Sequence, residues 1–301
     1  MTGRRWVILT ITTIAIVVCI VVSIAWVVDP YGIWRSSAGR GLPIYSGSVR
    51  RSKFLMSKRY VPDNFNALIL GPSSSANWNL LNVVGYRLYN ESAEGANATE
   101  IRTIVDEALI AGHYKLAILV LSPTMTAGHG ISDGLNHVGT EQAIASIDLI
   151  SQEVIYGLRA LHPGAGHVDV TAEGNSIFRK PKQMDALQHE AAYYRIDPVA
   201  VKDYHDVIQS LQRQGAAIVY VVPPNYEPCQ LLNFPRLSPY LKTVRAQLPS
   251  GPLIDLNDPE YASLRNDSNH FSDCDHLEPL GANKVAEILN KRISEAITAG
   301  R

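Results

Sequence analysis

The strongest constraint on this chain is a rhythm. Five short apolar runs recur between residues 66 and 257: "NALILG" (66–71), "YRLYN" (86–90), "LAILVLS" (116–122), "AAIVYVVPP" (216–224) and "GPLIDLN" (251–257). Runs of this length suit strands buried on both faces. Between and after them the period changes to that of a helix. "ATEIRTIVDEALIAG" (98–112) sets Ile101, Ile104, Val105, Ala108 and Leu109 on one face. Residues 197–215 open with Asp197 as N-cap and Pro198 at the first helical position, and close at Gly215. Residues 278–297 align Val285, Ile288, Leu289 and Ile293. The alternation predicts an α/β fold of three layers, α/β/α, around a five-stranded parallel sheet. In such sheets ligands bind beyond the carboxyl ends of the strands.

The rhythm breaks between residues 123 and 196. This stretch contains a helical pattern at 140–161 and is too long for a simple connection, so it predicts an inserted lid or subdomain. Its histidines, His129, His137, His162, His167 and His189, show no metal-ligand spacing and read as surface or lid residues.

A second feature precedes the rhythm. No charged residue occurs from Trp6 to Val28, a length that crosses a hydrocarbon core. Arg4 and Arg5 lie before it; Trp6, Trp26, Tyr31 and Trp34 sit where an aromatic belt would, and Asp29-Pro30 stops the helix. A cleaved signal peptide is the rival reading, with Ser23 and Ala25 as its small residues. The run is longer than a signal core, which favours an uncleaved transmembrane anchor at 1–28, holding the chain in the bilayer through residues 6–28. The arginine pair points the N-terminus to the cytoplasm, so the remaining chain is expected outside it, although Arg35 and Arg40 blunt the bias. Residues 29–62, with "VRRSKFLMSKRY" at 49–60, read either as a solvated stem with a short helix or as a contact for lipid headgroups or an anionic polymer. A net charge of -1 over 301 residues gives no support for nucleic-acid binding. Cys229 and Cys274 follow the fourth and fifth strands; they form a disulfide in an oxidising compartment or stay as free thiols.

The chemistry begins where the first apolar run ends, in Gly71-Pro72-Ser73-Ser74-Ser75. Serines at such a turn cap a helix, or one of them is a nucleophile. A serine nucleophile needs a base to take its proton, and the base needs an acid to fix its tautomer. Such a pair lies just before the final helix, where His276 follows Asp273 by three residues in "FSDCDHLEPLGANKVAEIL". One turn of chain lets that carboxylate reach Nδ1 and leaves Nε2 free for a serine. Ser73 ranks ahead of Ser74 and Ser75. Asp275, adjacent to the histidine, is the fallback acid with the poorer reach.

"LILGPSSS", with "DCDHL" and "GANKVAEIL" at the other end, resembles the SGNH (GDSL-type) hydrolase superfamily over roughly residues 63–298. The nearer likeness is to membrane-anchored, extracytoplasmic SGNH-like proteins linked to acylation of surface polysaccharides, where "DPYG" after the anchor and a Gly-Ser-Ser turn are familiar. The resemblance implies a flavodoxin-like sheet in an SGNH-like domain at 63–301. It implies Ser73 as nucleophile, His276 as general base and acid, and Asp273 as its partner. The N–H groups of Ser73 and of Gly95, in "YNESAEGA", would meet the oxyanion. The family's third block supplies an Asn after strand three; here the strand ends "LVLSPTMT", leaving Thr124 as the substitute. The implied function is a serine esterase or O-acyltransferase on acyl groups of a cell-surface glycan, with a membrane acyl-transfer protein as partner and with no cofactor or metal. The missing Asn, and Pro72 where the family has Asp, keep a second function open: an inactive glycan-binding or scaffolding module.

Overall fold

The architecture was obtained from a computed structural model, which describes residues 3–29, 31–35, 49–81, 83, 85–128, 170–178 and 182–299. The expected helix at 140–161 and four of the five histidines of the insertion lie outside the described residues.

Strands β1 (Ala67–Leu70), β2 (Leu88–Asn90), β3 (Leu116–Val120), β4 (Ala217–Val222) and β5 (Leu253–Asp255) form one parallel sheet in the order 2-1-3-4-5. Each run anticipated from the sequence contains one of these strands. The helices are α1 (Gly3–Val28), α2 (Val49–Met56), α3 (Tyr60–Asn64), α4 (Ala98–Ala111), α5 (Pro123–Thr126), α6 (Pro198–Arg213), α7 (Glu227–Gln247), α8 (Ala262–Arg265) and α9 (Pro279–Ala299). Helix α4 begins with a capping box: Asn97 accepts from the Glu100 amide, and Glu100 reaches back to the Asn97 amide. Asp197 caps α6 by accepting from the amides of Val199 and Ala200.

The period of two along each strand divides the core. Leu68, Leu70, Ala117, Leu119, Ile218 and Tyr220 face one layer, built from α2, α3, α4, α6 and α7. Ala67, Ile69, Leu116, Ile118, Val219 and Val221 face the other, built from α9, Trp78 and the chain between β5 and α9. This is the three-layer α/β arrangement that the sequence predicts. Because β1 is flanked by β2 on one side and β3 on the other, the winding order reverses at β1, the position beyond whose carboxyl end open sheets of this kind bind ligands.

Helix α1, 26 residues long, extends about 39 Å at 1.5 Å per residue, and none of its most apolar stretch is buried in the protein. It is long and apolar enough to cross a membrane. At its end Asp29 turns the chain with a positive φ of 39°, and its carboxylate accepts the amides of Ile33, Trp34 and Arg35. Tyr31 then enters the core.

The stem carries the short helix expected of it, α2, but that helix is packed into the core rather than solvated. Within 49–62, Phe54, Leu55, Met56, Tyr60 and Val61 are buried in the first core layer, and Lys53 is fully buried with them. The basic residues mislead because charge is the visible signal, whereas the apolar face of α2 is only four residues wide. At about 1.5–3 kcal/mol for each buried apolar side chain, these five contribute roughly 8–15 kcal/mol, comparable to the whole net stability of a domain. Leu55→Ala in the full chain is therefore expected to lower unfolding stability by about 2–5 kcal/mol in urea titration, as for a core leucine. A solvated stem would show a change within about 0.5 kcal/mol.

Candidate active site

The serine turn is shaped by what precedes it. Gly71 follows β1 where a Cβ would overlap Ser75 Oγ and the Val120 side chain, so no larger residue fits. Pro72 is extended, and Ser73–Ser75 then wind into a single 3₁₀ turn, with the Ser75 amide donating to Pro72 O (3.1 Å) and the Ala76 amide to Ser73 O (3.0 Å). This turn gives its three hydroxyls three different fates. Ser75 Oγ donates to Pro72 O (3.0 Å) and contacts Ser92 Oγ (2.9 Å) inside the protein. Ser74 Oγ is buried with no hydrogen-bond partner among the described residues. Ser73 Oγ lies 2.8 Å from Nε2 of His276. Of the three, Ser73 is the serine that meets the imidazole.

His276 is held by a tight loop ahead of α9. The Ser272 amide donates to His276 O (2.9 Å), and a bridge pairs Phe271 with Leu277. Asp273 organises the interior of the loop: Oδ1 accepts the amides of Asp275 (3.1 Å) and His276 (2.8 Å). Its two oxygens also lie 2.9 and 2.8 Å from Nδ1 of the ring. The loop is fastened on two sides. The Asn77 side chain donates to Leu277 O (2.8 Å), joining it directly to the serine turn. A Cys229–Cys274 disulfide ties it to the start of α7, which resolves the choice left open by the sequence.

Asp275 corrects an expectation. Because the loop doubles back, its Oδ1 stands 3.1 Å from Nδ1, so the ring faces two carboxylates rather than one. Burial favours the neutral imidazole, but the hydrogen bonds and charges of Asp273 and Asp275 outweigh it, and His276 is held as a cation well above its ordinary 6.5. Burial likewise pushes Asp273 up, but the bond to His276 and the ring's charge overcome this and bring the carboxyl down to about 2. Asp273, Asp275 and His276 also carry ligand atoms within 4.8 Å of one another. A cation taking Nδ1 there would compete with the hydrogen bonds that orient the ring.

Gly95 and Thr124 are the further residues expected to donate to an oxyanion. Gly95 adopts φ 65° in an exposed turn where a Cβ would meet Arg50. The Thr124 hydroxyl pairs with Tyr193 OH at 3.2 Å. The described parts of the insertion also bear on the site. Phe178 stands edge-on to the His276 ring at 5.6 Å, and His189 stacks on Tyr193 at 4.2 Å. No periodicity in the sequence marks Phe178 or Tyr193. Of the three Asn-X-Ser/Thr triplets in the sequence, those at Asn90 and Asn97 are buried, Asn97 being the cap of α4, and the one at Asn266 is exposed.

No protein-family model and no curated protein matches this sequence. Among solved structures, one from Streptococcus pneumonia, provisionally named a platelet activating factor, aligns over 81% of this chain and 91% of its own. The identity is 11% and the TM-score 0.44.

The pairing makes opposite contributions to stability at the two ends of the pH scale. That of His276 is full below 6.5 and is lost as pH rises through its higher folded value; that of Asp273 is full above 3.8 and is lost as pH falls towards about 2. Nitrogen-15 NMR of the full chain should accordingly place the His276 midpoint well above 6.5, and Asp275→Asn should lower it. A wild-type midpoint at or below 6.5 contradicts the two-carboxylate cradle.

Proposed function

We propose that this protein is a membrane-anchored, extracytoplasmic serine esterase or O-acyltransferase of SGNH type, acting on acyl groups of a surface glycan. The observation that carries the reading is the 2.8 Å contact of Ser73 Oγ with His276 Nε2, on a ring whose Nδ1 is bonded to Asp273. A serine hydroxyl, an imidazole and a carboxylate so connected are what nucleophilic acyl transfer requires.

In this reading Ser73 Oγ attacks the acyl carbonyl as its proton passes to Nε2, which requires the neutral ring. The negative charge formed on the carbonyl oxygen is met by the Ser73 amide, with the Gly95 amide and the Thr124 hydroxyl as further donors. Collapse expels the alcohol, which takes the proton from Nε2, and leaves the acyl group on Ser73. Water or a sugar hydroxyl, deprotonated by the same nitrogen, then removes it. Hydrolysis and transfer use the same residues and differ in how far water is excluded. The route uses no cofactor. Placement outside the cytoplasm is supported by the disulfide, which belongs to an oxidising compartment, together with the apolar helix α1. A membrane acyl-transfer protein as donor and a glycan as acceptor follow from the resemblance described above.

A second reading, a non-catalytic glycan-binding or scaffolding module, draws on one observation. The Thr124 hydroxyl, which stands in for the family's Asn, pairs with Tyr193 OH at 3.2 Å. Rates of p-nitrophenyl acetate hydrolysis by the detergent-solubilised chain separate the two. The esterase reading expects Ser73→Ala and His276→Ala each to lower kcat/KM by about 10³-fold or more, with circular dichroism unchanged. Equal rates for the wild type and Ser73→Ala would favour the module.

A further inference from the structure

Helix α2 is the part of the basic stem that the proposed reaction does not use, and it contains a lysine whose side chain is enclosed by backbone carbonyls. Lys53 is fully buried, and its Nζ donates to three backbone carbonyls: Asn90 at 2.5 Å, Ser92 at 2.6 Å and Gly174 at 2.8 Å. An ammonium has three N–H donors and no more, so the site uses its whole capacity. Glu91 is buried in the same region, and its Oε1 accepts from Ser57 Oγ at 2.8 Å; burial pushes the Lys53 ammonium down and the Glu91 carboxyl up, each opposed by the other's charge. A buried cation so placed is costly to retain for packing alone.

The three carbonyls belong to two segments, and both segments end on the serine turn. From the first, Asn90 Nδ2 donates to Ser75 O (2.9 Å) and Ala76 O (3.2 Å), Ser92 Oγ meets Ser75 Oγ (2.9 Å), and the Ala93 amide donates to Gly71 O (3.3 Å). From the second, the Ser176 amide donates to Ala76 O (2.6 Å), and Asn175 Oδ1 accepts from Asn90 Nδ2 (3.1 Å). Gly174 has φ 80°, and a Cβ there would overlap Asn90 O, so the two segments meet at the closest approach the backbone allows. Lys53 thus fastens together the two strands of chain that hold residues 71–76.

We propose that Lys53 is a positioning residue for the reaction centre: through Asn90, Ser92 and Gly174 it fixes the turn that presents Ser73 to His276, so that the helix following the membrane anchor sets the geometry of the site. The inference deepens the esterase reading and rests on it for the kinetic arm of its test. Lys53→Met keeps the length and apolar stem of the side chain and removes all three donors. Ser92→Ala removes the last contact before Ser75 at smaller risk to folding.

In the full chain in detergent, both variants are expected to lower kcat for p-nitrophenyl acetate by about 10- to 100-fold per titrated active site. KM should stay within about twofold, because a misplaced nucleophile weakens the chemical step more than binding. Both should also move the nitrogen-15 signal of His276 in the direction that Ser73→Ala moves it, since each loosens the same hydrogen bond. Should Lys53→Met fail to fold, Ser92→Ala decides alone. A folded variant with an unmoved His276 signal and kcat within twofold of wild type overturns the proposal. A wild type without esterase activity, whose His276 signal still responds to Lys53→Met, sinks the esterase reading and leaves the positioning role standing.

Discussion

A hydrogen bond of 2.8 Å joins two residues 203 positions apart, Ser73 and His276, and the packing of the core brings them together. Bringing the ends of a loop that long together costs on the order of 5 kcal/mol in chain entropy, whereas one such bond returns about 1 kcal/mol net. The bond therefore cannot assemble the site; the site is a by-product of the core. Ile69, Ile118 and Val219 present one face of the sheet to Val285, Leu289 and Ile293 of α9, and this burial docks the last helix beside the first strand. The local fasteners act afterwards. Asn77 joins the serine turn to Leu277, and the disulfide holds the loop to α7.

The electrostatics of the loop follow from its tightness. Asp273 accepts two amides of its own loop and turns both oxygens to the ring, while the doubling back of the chain delivers Asp275 to the same nitrogen. A ring between two carboxylates rests as a cation, with Nε2 donating to Ser73 Oγ. In the proposed reaction base catalysis needs the opposite protonation state, so the second carboxylate would orient the ring at the cost of its neutral fraction. Substrate binding that excludes water or displaces Asp275 would shift this balance toward the base.

Much of the fold was legible because it rests on periodicity. Alternate residues of β1, β3 and β4 divide between two apolar layers, and the runs that contain them are recognisable without knowing which face is which. Helix α6 carried its own start signals in Asp197 and Pro198. Helix α7 did not, because Pro235 and Pro239 argue against any helix at 227–247. It survives because both prolines lie on the exposed face four residues apart, where the carbonyls they leave unbonded meet water. The burial of α2 was hidden for a related reason: a lysine reads as surface until the carbonyls that enclose it are known, and those come from residues 90, 92 and 174. The serine, histidine and Asp273 were readable as a pattern of order and spacing. Asp275, Phe178 and Tyr193 were not, since what places them is the path of a loop and of an insertion without period.

The central claim is that Ser73 is a nucleophile activated by a base from the far end of the chain. It is tested most directly by treating the full chain in detergent with a fluorophosphonate and mapping the adduct by peptide mass spectrometry. The account predicts a single phosphonylated residue, Ser73, and its disappearance in His276→Ala. A folded wild-type chain that takes up no label, or takes it up elsewhere, contradicts it.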